Sequence, residues 1–142
     1  MAERAPLVAS SGRPSLAALA TPTAIVESFI AAWNANDLEQ ILAHLHPQVV
    51  YHNLPMAPIH GQAAVRAYLA DKVPFEWVNW KLLAIAAVGN KVLTERSDDF
   101  GVGGVTVRLP LMGIFEIEDG LIAAWRDYFD LAMYRQQLKP SV

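Results

Sequence analysis

The first third of the chain places apolar residues with the period of an α-helix. Thr21 followed by Pro22 supplies a hydroxyl cap and a proline in the first turn, which predicts a helix start. Apolar residues then recur three and four positions apart, as they do on one face of a helix. The segment 37–40 resembles a capping box. It predicts a second helix that runs to about Leu45 and is ended by Pro47.

The rest of the chain is more typical of β-structure. Residues 49–53 form a short segment that begins with two β-branched valines, which predicts a strand. A third helix is expected to start near Gly61. From Phe75 onward, segments rich in branched and aromatic residues are separated by glycine-containing turns at Gly89, 101–104 and Gly120. This pattern predicts a meander of four long strands. The expected strands are 75–88, 91–100, 105–118 and 121–130.

Three helices followed by such a meander indicate an α+β fold. We expect a curved, mixed but mostly antiparallel sheet with about three N-terminal helices packed on it. Such a sheet forms a cone with an internal apolar pocket, which is where a small ligand would bind. The expected organisation is a flexible N-terminal tail over 1–20, a single domain over 21–137 and a C-terminal tail over 138–142.

The composition narrows the function classes. The 142 residues are 54% hydrophobic, and the net charge of −3 argues against a nucleic-acid partner. No apolar run approaches the roughly 20 residues that a membrane helix needs. The absence of cysteine excludes disulfides, thiol catalysis and thiolate metal sites, and it fits the cytoplasm.

The segment 92–100 carries unusual chemistry for a strand. Alternation puts Arg96 and Asp98 on the same face as Val92 and Thr94, which is the face expected to be buried. A buried charge costs several kcal/mol unless it is paired and hydrogen-bonded. Arg96 and Asp98 could satisfy each other, so a structural salt bridge at a strand end is one interpretation.

Two further polar groups favour a functional interpretation. Asp127 lies between two aromatic residues of the last long strand, which indicates an inward carboxylate. Tyr51 and Asn53 share one face of the short strand. The predicted inward polar set is therefore Tyr51, Asn53, Arg96, Asp98 and Asp127.

Three motifs give the chain a resemblance to a known family. The segments 51–56, 94–98 and 125–131 resemble those of limonene epoxide hydrolase, in the same order and with similar spacing from about Thr21 to Leu131. That family belongs to the group with the nuclear-transport-factor and ketosteroid-isomerase fold. The resemblance implies a metal-free and cofactor-free enzyme that adds water to small apolar, terpene-like or cyclic epoxides to give vicinal diols in one step.

The resemblance also implies the role of each polar residue. Asp98 is expected to act as the general acid that protonates the epoxide oxygen, and Asp127 as the general base that takes a proton from water. Arg96 is expected to hold the two acids, and Tyr51 and Asn53 to orient the water. The candidate pocket walls are Ile30, Trp33, Leu69, Leu109, Leu111 and Phe129.

Two other functions on the same fold remain open at this point. One is a ketosteroid-isomerase-like or polyketide-cyclase-like enzyme, for which an Arg beside the base would be unfavourable because it lowers the pKa of that base. The other is a noncatalytic binding module. A metal site at His44, His46 and His60 is disfavoured because no carboxylate lies at ligand spacing with them. A homodimer is expected, since Leu93, Met112 and Ile114 form apolar positions on the outer face of the sheet.

Overall fold

A computed structural model describes residues 20–139 of the protein. It contains four helices and six strands within this range. The helices are α1 (Pro22–Asn34), α2 (Leu38–Ala43), α3 (Gln62–Ala70) and α4 (Leu131–Leu138). The strands are β1 (Leu45–Asn53), β2 (Ile59–His60), β3 (Trp77–Val88), β4 (Lys91–Val102), β5 (Val105–Glu118) and β6 (Leu121–Tyr128).

The strands form one open sheet in the order β2-β1-β6-β5-β4-β3. Strands β3 to β6 make the predicted antiparallel meander, and β1 joins its edge parallel to β6. The sheet is therefore mixed but mostly antiparallel, and the predicted α+β fold is confirmed. Register shifts in three of the strand pairs mark bulges, which bend a sheet locally.

The N-terminal helices pack on one face of this sheet. Helix α1 buries the apolar stripe that its sequence predicts, and its side chains join those of β1 and β6 in the main core. Phe29 and Trp125 meet edge to face at its centre, with ring centroids 4.9 Å apart. A second apolar cluster around Phe100 and Leu109 packs against Tyr134 of α4. The space between these two clusters holds the candidate site.

Two boundaries differ from the sequence prediction. Helix α2 ends at Ala43, and β1 begins at Leu45 and runs through Pro47 instead of starting after it. A proline is tolerated there because the pairing of β1 with β6 shifts register between Leu45 and Val50, where a strand N–H is not required. At the other end, α4 includes Leu138, one residue beyond the predicted domain boundary. The predicted N-terminal tail lies outside the described residues, apart from its last position.

Candidate active site

A row of residues crosses four strands at the floor of the site. The strand register aligns Asn53 of β1 with Asp127 of β6, Asp127 with Gly113 of β5, and Gly113 with Thr94 of β4. Arg96 lies two residues further along β4 on the same face. The sheet topology therefore brings together residues that are far apart in the sequence.

Gly113 makes the contact between β4 and β6 possible. These two strands are separated by β5, so they lie roughly 9–10 Å apart. A Cβ atom at residue 113 would lie 2.5 Å from Nη1 of Arg96, and it would also clash with Oδ1 of Asp127. Because glycine has no side chain, the guanidinium group and the carboxylate occupy this space and meet above β5.

Arg96 binds both acids. Its Nε and Nη2 donate to the two oxygens of Asp98 at 2.9 Å each, and Nη2 also donates to Oδ2 of Asp127 at 3.1 Å. Nη1 donates to Oγ1 of Thr94 at 2.9 Å, and the guanidinium lies 4.8 Å from the ring centroid of Trp80. The whole Arg96 side chain is buried, with 0% exposure, and its charge is compensated by these contacts.

The two carboxylates differ in how they are bonded. Both oxygens of Asp98 accept from Arg96. In Asp127, Oδ2 accepts from Arg96 and from Nε1 of Trp125, each at 3.1 Å, whereas the buried Oδ1 has no hydrogen-bond partner in the described part of the chain. Asp127 therefore has one buried oxygen, next to Gly113, that accepts no hydrogen bond from residues 20–139.

Tyr51 and Asn53 stand beside Asp127. The Asn53 amide donates to the Tyr51 hydroxyl at 2.8 Å, and the Tyr51 ring stacks on Trp125 at a centroid distance of 3.9 Å. Burial, and secondarily the charge of Asp127, raises the pKa of Tyr51 well above its usual value. The phenol therefore remains neutral and can act as a hydrogen-bond donor.

Burial shifts the protonation of the acid pair. Asp98 and Asp127 are only 4% and 3% exposed, and this burial raises both pKa values although Arg96 opposes the shift. The pKa of Asp98 rises to about 6. For Arg96, burial lowers the pKa, but the two carboxylates outweigh it and raise the value overall. The result is a permanent cation between two acids that hold a proton more readily than exposed carboxyl groups.

A cavity of about 90 Å³ opens above this pair. Its inner end is formed by Tyr51, Asn53, Asp98 and Asp127, and most of the remaining surface is apolar. Five of the six predicted wall residues line it, namely Trp33, Leu69, Leu109, Leu111 and Phe129. The sixth, Ile30, lies in the main core and not on the cavity wall, because it occupies the part of α1 that faces the packed side chains.

A model of the limonene-1,2-epoxide hydrolase catalytic domain matches residues 20–139. The chain belongs to the limonene-1,2-epoxide hydrolase family. The predicted family is thus confirmed, over nearly all of the chain.

Relatives of this family member include an epoxide hydrolase, EphG, of Mycobacterium tuberculosis. It is 37% identical over 109 residues, which cover 75% of this chain and 71% of the relative. A solved LEH-like epoxide hydrolase from M. tuberculosis is 33% identical, with a TM-score of 0.72 over 80% of this chain and 86% of that one. A protein from Catenulispora acidiphila with a ketosteroid-isomerase-like fold is 18% identical, with a TM-score of 0.70 over 80% and 90% of the two chains. At that identity the likeness concerns the fold alone.

Beyond several residues of the cavity wall, sequence reasoning missed three residues that shape the acid pair of this family member. Trp125 donates to Asp127, Thr94 accepts from Arg96, and Gly113 leaves the space in which these groups meet. Strand alternation already places Trp125 with Asp127 and Thr94 with Arg96, so a search for donors and acceptors two residues away would have found both. Gly113 gives no such signal, because its importance depends on the register between β5 and β6.

The histidines do not form a site in the structure. His44 contacts the Ser28 hydroxyl and the Gln40 carbonyl, and His46 lies 4.0 Å from Asp119. Among residues 20–139, no group of three or more His, Cys, Asp or Glu side chains is arranged to hold a metal. No helix in the described range has the length and apolar character that a membrane span requires.

Proposed function

We propose that this protein hydrolyses small apolar epoxides, terpene-like or cyclic, to vicinal diols in one step of general acid and base catalysis without a metal. The observation that carries the proposal is the pair of buried acids, Asp98 and Asp127, which share one guanidinium nitrogen of Arg96 at the floor of an apolar cavity. Both acids face the space in which a substrate would lie. The proposal assigns them opposite roles.

Asp127 acts as the general base and Asp98 as the general acid. A water molecule attacks one epoxide carbon and transfers a proton to the free Oδ1 of Asp127. The C–O bond breaks as Asp98 protonates the epoxide oxygen, so the proton gained equals the proton given. The raised pKa of Asp98, about 6, supports its role as a donor near neutral pH.

Arg96 contacts both the general acid, Asp98, and the general base, Asp127. Each oxygen of Asp98 accepts one hydrogen bond from Arg96 and has a second lone pair that can carry the proton, so these contacts keep the pair in place. One net negative charge then remains on the two acids, and the guanidinium balances it. After turnover, the extra proton on Asp127 returns to Asp98, and Nη2 of Arg96 already contacts both carboxylates.

Tyr51 and Asn53 position the attacking water. The Tyr51 hydroxyl accepts from Asn53, so its own proton is free to point toward the water. Holding the water beside Asp127 reduces the entropy that the reaction must otherwise lose. The wall residues Leu109, Leu111 and Phe129 exclude bulk water and provide an apolar surface for the substrate.

We further propose a single cytoplasmic domain that functions as a homodimer through the outer face of the sheet. Leu83, Leu93 and Met112 are 60%, 39% and 51% exposed on the meander. Apolar side chains with this much exposure are stabilised when a second protein surface buries them, which favours an interface at this face. Sedimentation showing a stable monomer at micromolar concentration would contradict the dimer.

The test uses purified protein with racemic limonene oxide and with cyclohexene oxide in the presence of a chelator. We expect diol formation, and in oxygen-labelled water under single-turnover conditions we expect the label in the diol and none in the protein. Label that appears first in a carboxylate of the protein would indicate a covalent ester and contradict the one-step mechanism. Absence of diol from both substrates would contradict the proposed activity.

A further inference from the structure

The mouth of the cavity carries one positive charge that the proposed mechanism does not use. Lys72 lies two residues after the end of α3 and is the only Lys or Arg among the residues that line the cavity within the described range. Its ammonium lies 3.7 Å from the ring centroid of Tyr68 and donates to the Tyr68 carbonyl at 3.2 Å. These contacts hold the charge in one place over the cavity wall.

Unlike two lysines of the sheet, Lys72 has no acidic partner among residues 20–139. Lys81 pairs with Asp99 at 3.1 Å, and Lys91 pairs with Glu116 at 3.3 Å. Around Lys72, no carboxylate from residues 20–139 lies within the 4.0 Å of a salt bridge. An ammonium group has three N–H donors, and the carbonyl of Tyr68 uses one of them. Two donors are therefore available to a ligand.

The polar groups of the cavity divide into an inner and an outer set. The inner acids and Tyr51 are buried, and the Tyr68 hydroxyl lies beside Asn53 at this inner end. Lys72 and Tyr134 are half-buried and so lie nearer to solvent. Between the two sets the wall is apolar. The outer set consists of an ammonium and one phenol hydroxyl, both of which can donate hydrogen bonds to an anion.

The cavity is also small enough that a substrate bound at the acids would extend as far as Lys72. The cavity measures about 90 Å³. An apolar cavity that binds benzene measures roughly 150 Å³. A substrate with a body of one ring or more, placed with its epoxide against the acids, therefore extends to the mouth.

We propose that Lys72 is a specificity-determining residue, and that the preferred substrates are epoxides whose apolar body ends in a carboxylate. This inference rests on the proposed hydrolysis of epoxides. In this arrangement the acid pair receives the epoxide, the apolar wall receives the body, and Lys72 with the phenol of Tyr134 receives the carboxylate. A hydrogen bond between two charged groups is stronger than one between neutral groups, so the carboxylate improves binding.

The experiment compares two substrates of equal shape, para-carboxystyrene oxide and its neutral amide, para-carbamoylstyrene oxide. For the unaltered protein we expect kcat/KM to be roughly tenfold higher for the acid, mainly through a lower KM, since a hydrogen bond to a charged group contributes that much. In Lys72→Met the preference is expected to disappear, because kcat/KM for the acid falls to the level of the amide. Lys72→Arg should restore part of it.

Lys91→Met is the matched control. It removes a lysine whose partner is Glu116, away from the cavity, and should leave the preference intact. Lys72 also suits a purely structural role, since a lysine that reaches the last carbonyls of a helix stabilises its C-terminus. A structural role predicts that Lys72→Met affects the acid and the amide equally.

Three outcomes would overturn the inference. The unaltered protein could hydrolyse the amide as well as the acid, Lys72→Met could retain the preference, or Lys91→Met could lose it to the same extent. In each case epoxide hydrolysis itself is observed, so the proposed function stands. If neither compound nor styrene oxide is hydrolysed, the proposed function fails and this inference fails with it.

Discussion

Strand β4 carries a buried aspartate on each of its faces, and the two behave in opposite ways. Asp98 faces the cavity and is 4% exposed, while its neighbour Asp99 faces the other side of the sheet and is 1% exposed. The pKa of Asp98 is raised to about 6, whereas the pKa of Asp99 is lowered. Low exposure of the same residue type therefore does not give the same chemistry: Asp98 lies inside the molecule, whereas Asp99 is covered by the side chains of Lys81 and Arg108, which are 48% and 64% exposed.

The difference lies in the partners. On the inner face two acids share the single guanidinium of Arg96, so burial dominates and raises their pKa values. On the outer face burial also raises the pKa of Asp99, but several donors act on one acid and reverse the effect. These donors are Ser97 at 2.6 Å, Lys81 at 3.1 Å and Arg108 at 2.9 Å. Asp99 is one acid with several donors around it, so it remains ionised and serves as a structural ion pair. Where two acids share one cation, as on the inner face, a carboxyl group can hold a proton and donate it.

The largest expected effect comes from neutralising the acids of each face. Asp98→Asn and Asp127→Asn should each lower kcat for epoxide hydrolysis by about 10²–10⁴-fold, because each removes a proton transfer. The matched control Asp99→Asn should change kcat no more than a few-fold. Steady-state kinetics with cyclohexene oxide measures all three, and circular dichroism checks that the variants are folded. Near-normal turnover in either inner variant would rule out the assigned roles.

Substitution of one glycine on each face of the sheet tests the space available to the neighbouring side chains instead of their charge. Gly113→Ala places a methyl group against Arg96 and Asp127, and should lower both kcat and stability, the latter by about 1–3 kcal/mol. Gly101→Ala is its counterpart, since its added methyl group meets the ring of Trp77, which is 38% exposed and can move. It should leave kcat nearly unchanged. A fully active Gly113→Ala would show that the space above β5 is not needed for the contact between the acids.

The two faces also show what the sequence could predict. Alternation along β4 places Arg96 and Asp98 together on the buried face, because side-chain direction within a strand has a fixed period of two. Alternation along the last long strand likewise places Asp127 on the buried face with Trp125 and Phe129, and the family resemblance then implies its role. Within a strand, local geometry was sufficient.

Contacts between strands were not predictable in the same way. The burial of Asp99 depends on Lys81 from β3 and Arg108 from β5, and the role of Gly113 depends on its alignment with Asp127. A shift of one residue in register would reverse which side chains meet, and the sequence does not specify the register. Ile30 was misplaced for a related reason: helical spacing identifies the buried face of α1 but not which of its residues reaches the cavity.

The dependence of stability on pH compares the two faces most directly. The folded inner pair has raised pKa values, so between about pH 4 and 6 the folded state binds more protons than the unfolded state. Its contribution to stability is therefore present below about pH 4 and is lost as the pH rises toward 6, by up to ~3 kcal/mol for a shift of this size. Asp99 has a lowered pKa, so its contribution is present above about pH 4 and is lost as the pH falls through its folded value.

Urea denaturation of the protein at a series of pH values measures the free energy of unfolding and separates these two contributions. Asp98→Asn should flatten the decline between pH 4 and 6, because the remaining acid no longer shares Arg96 with another carboxylate. Asp99→Asn should instead reduce the loss of stability that occurs as the pH falls through the folded pKa of Asp99. If both variants changed the same limb of the curve, the partners on each face would not be what sets the two pKa values.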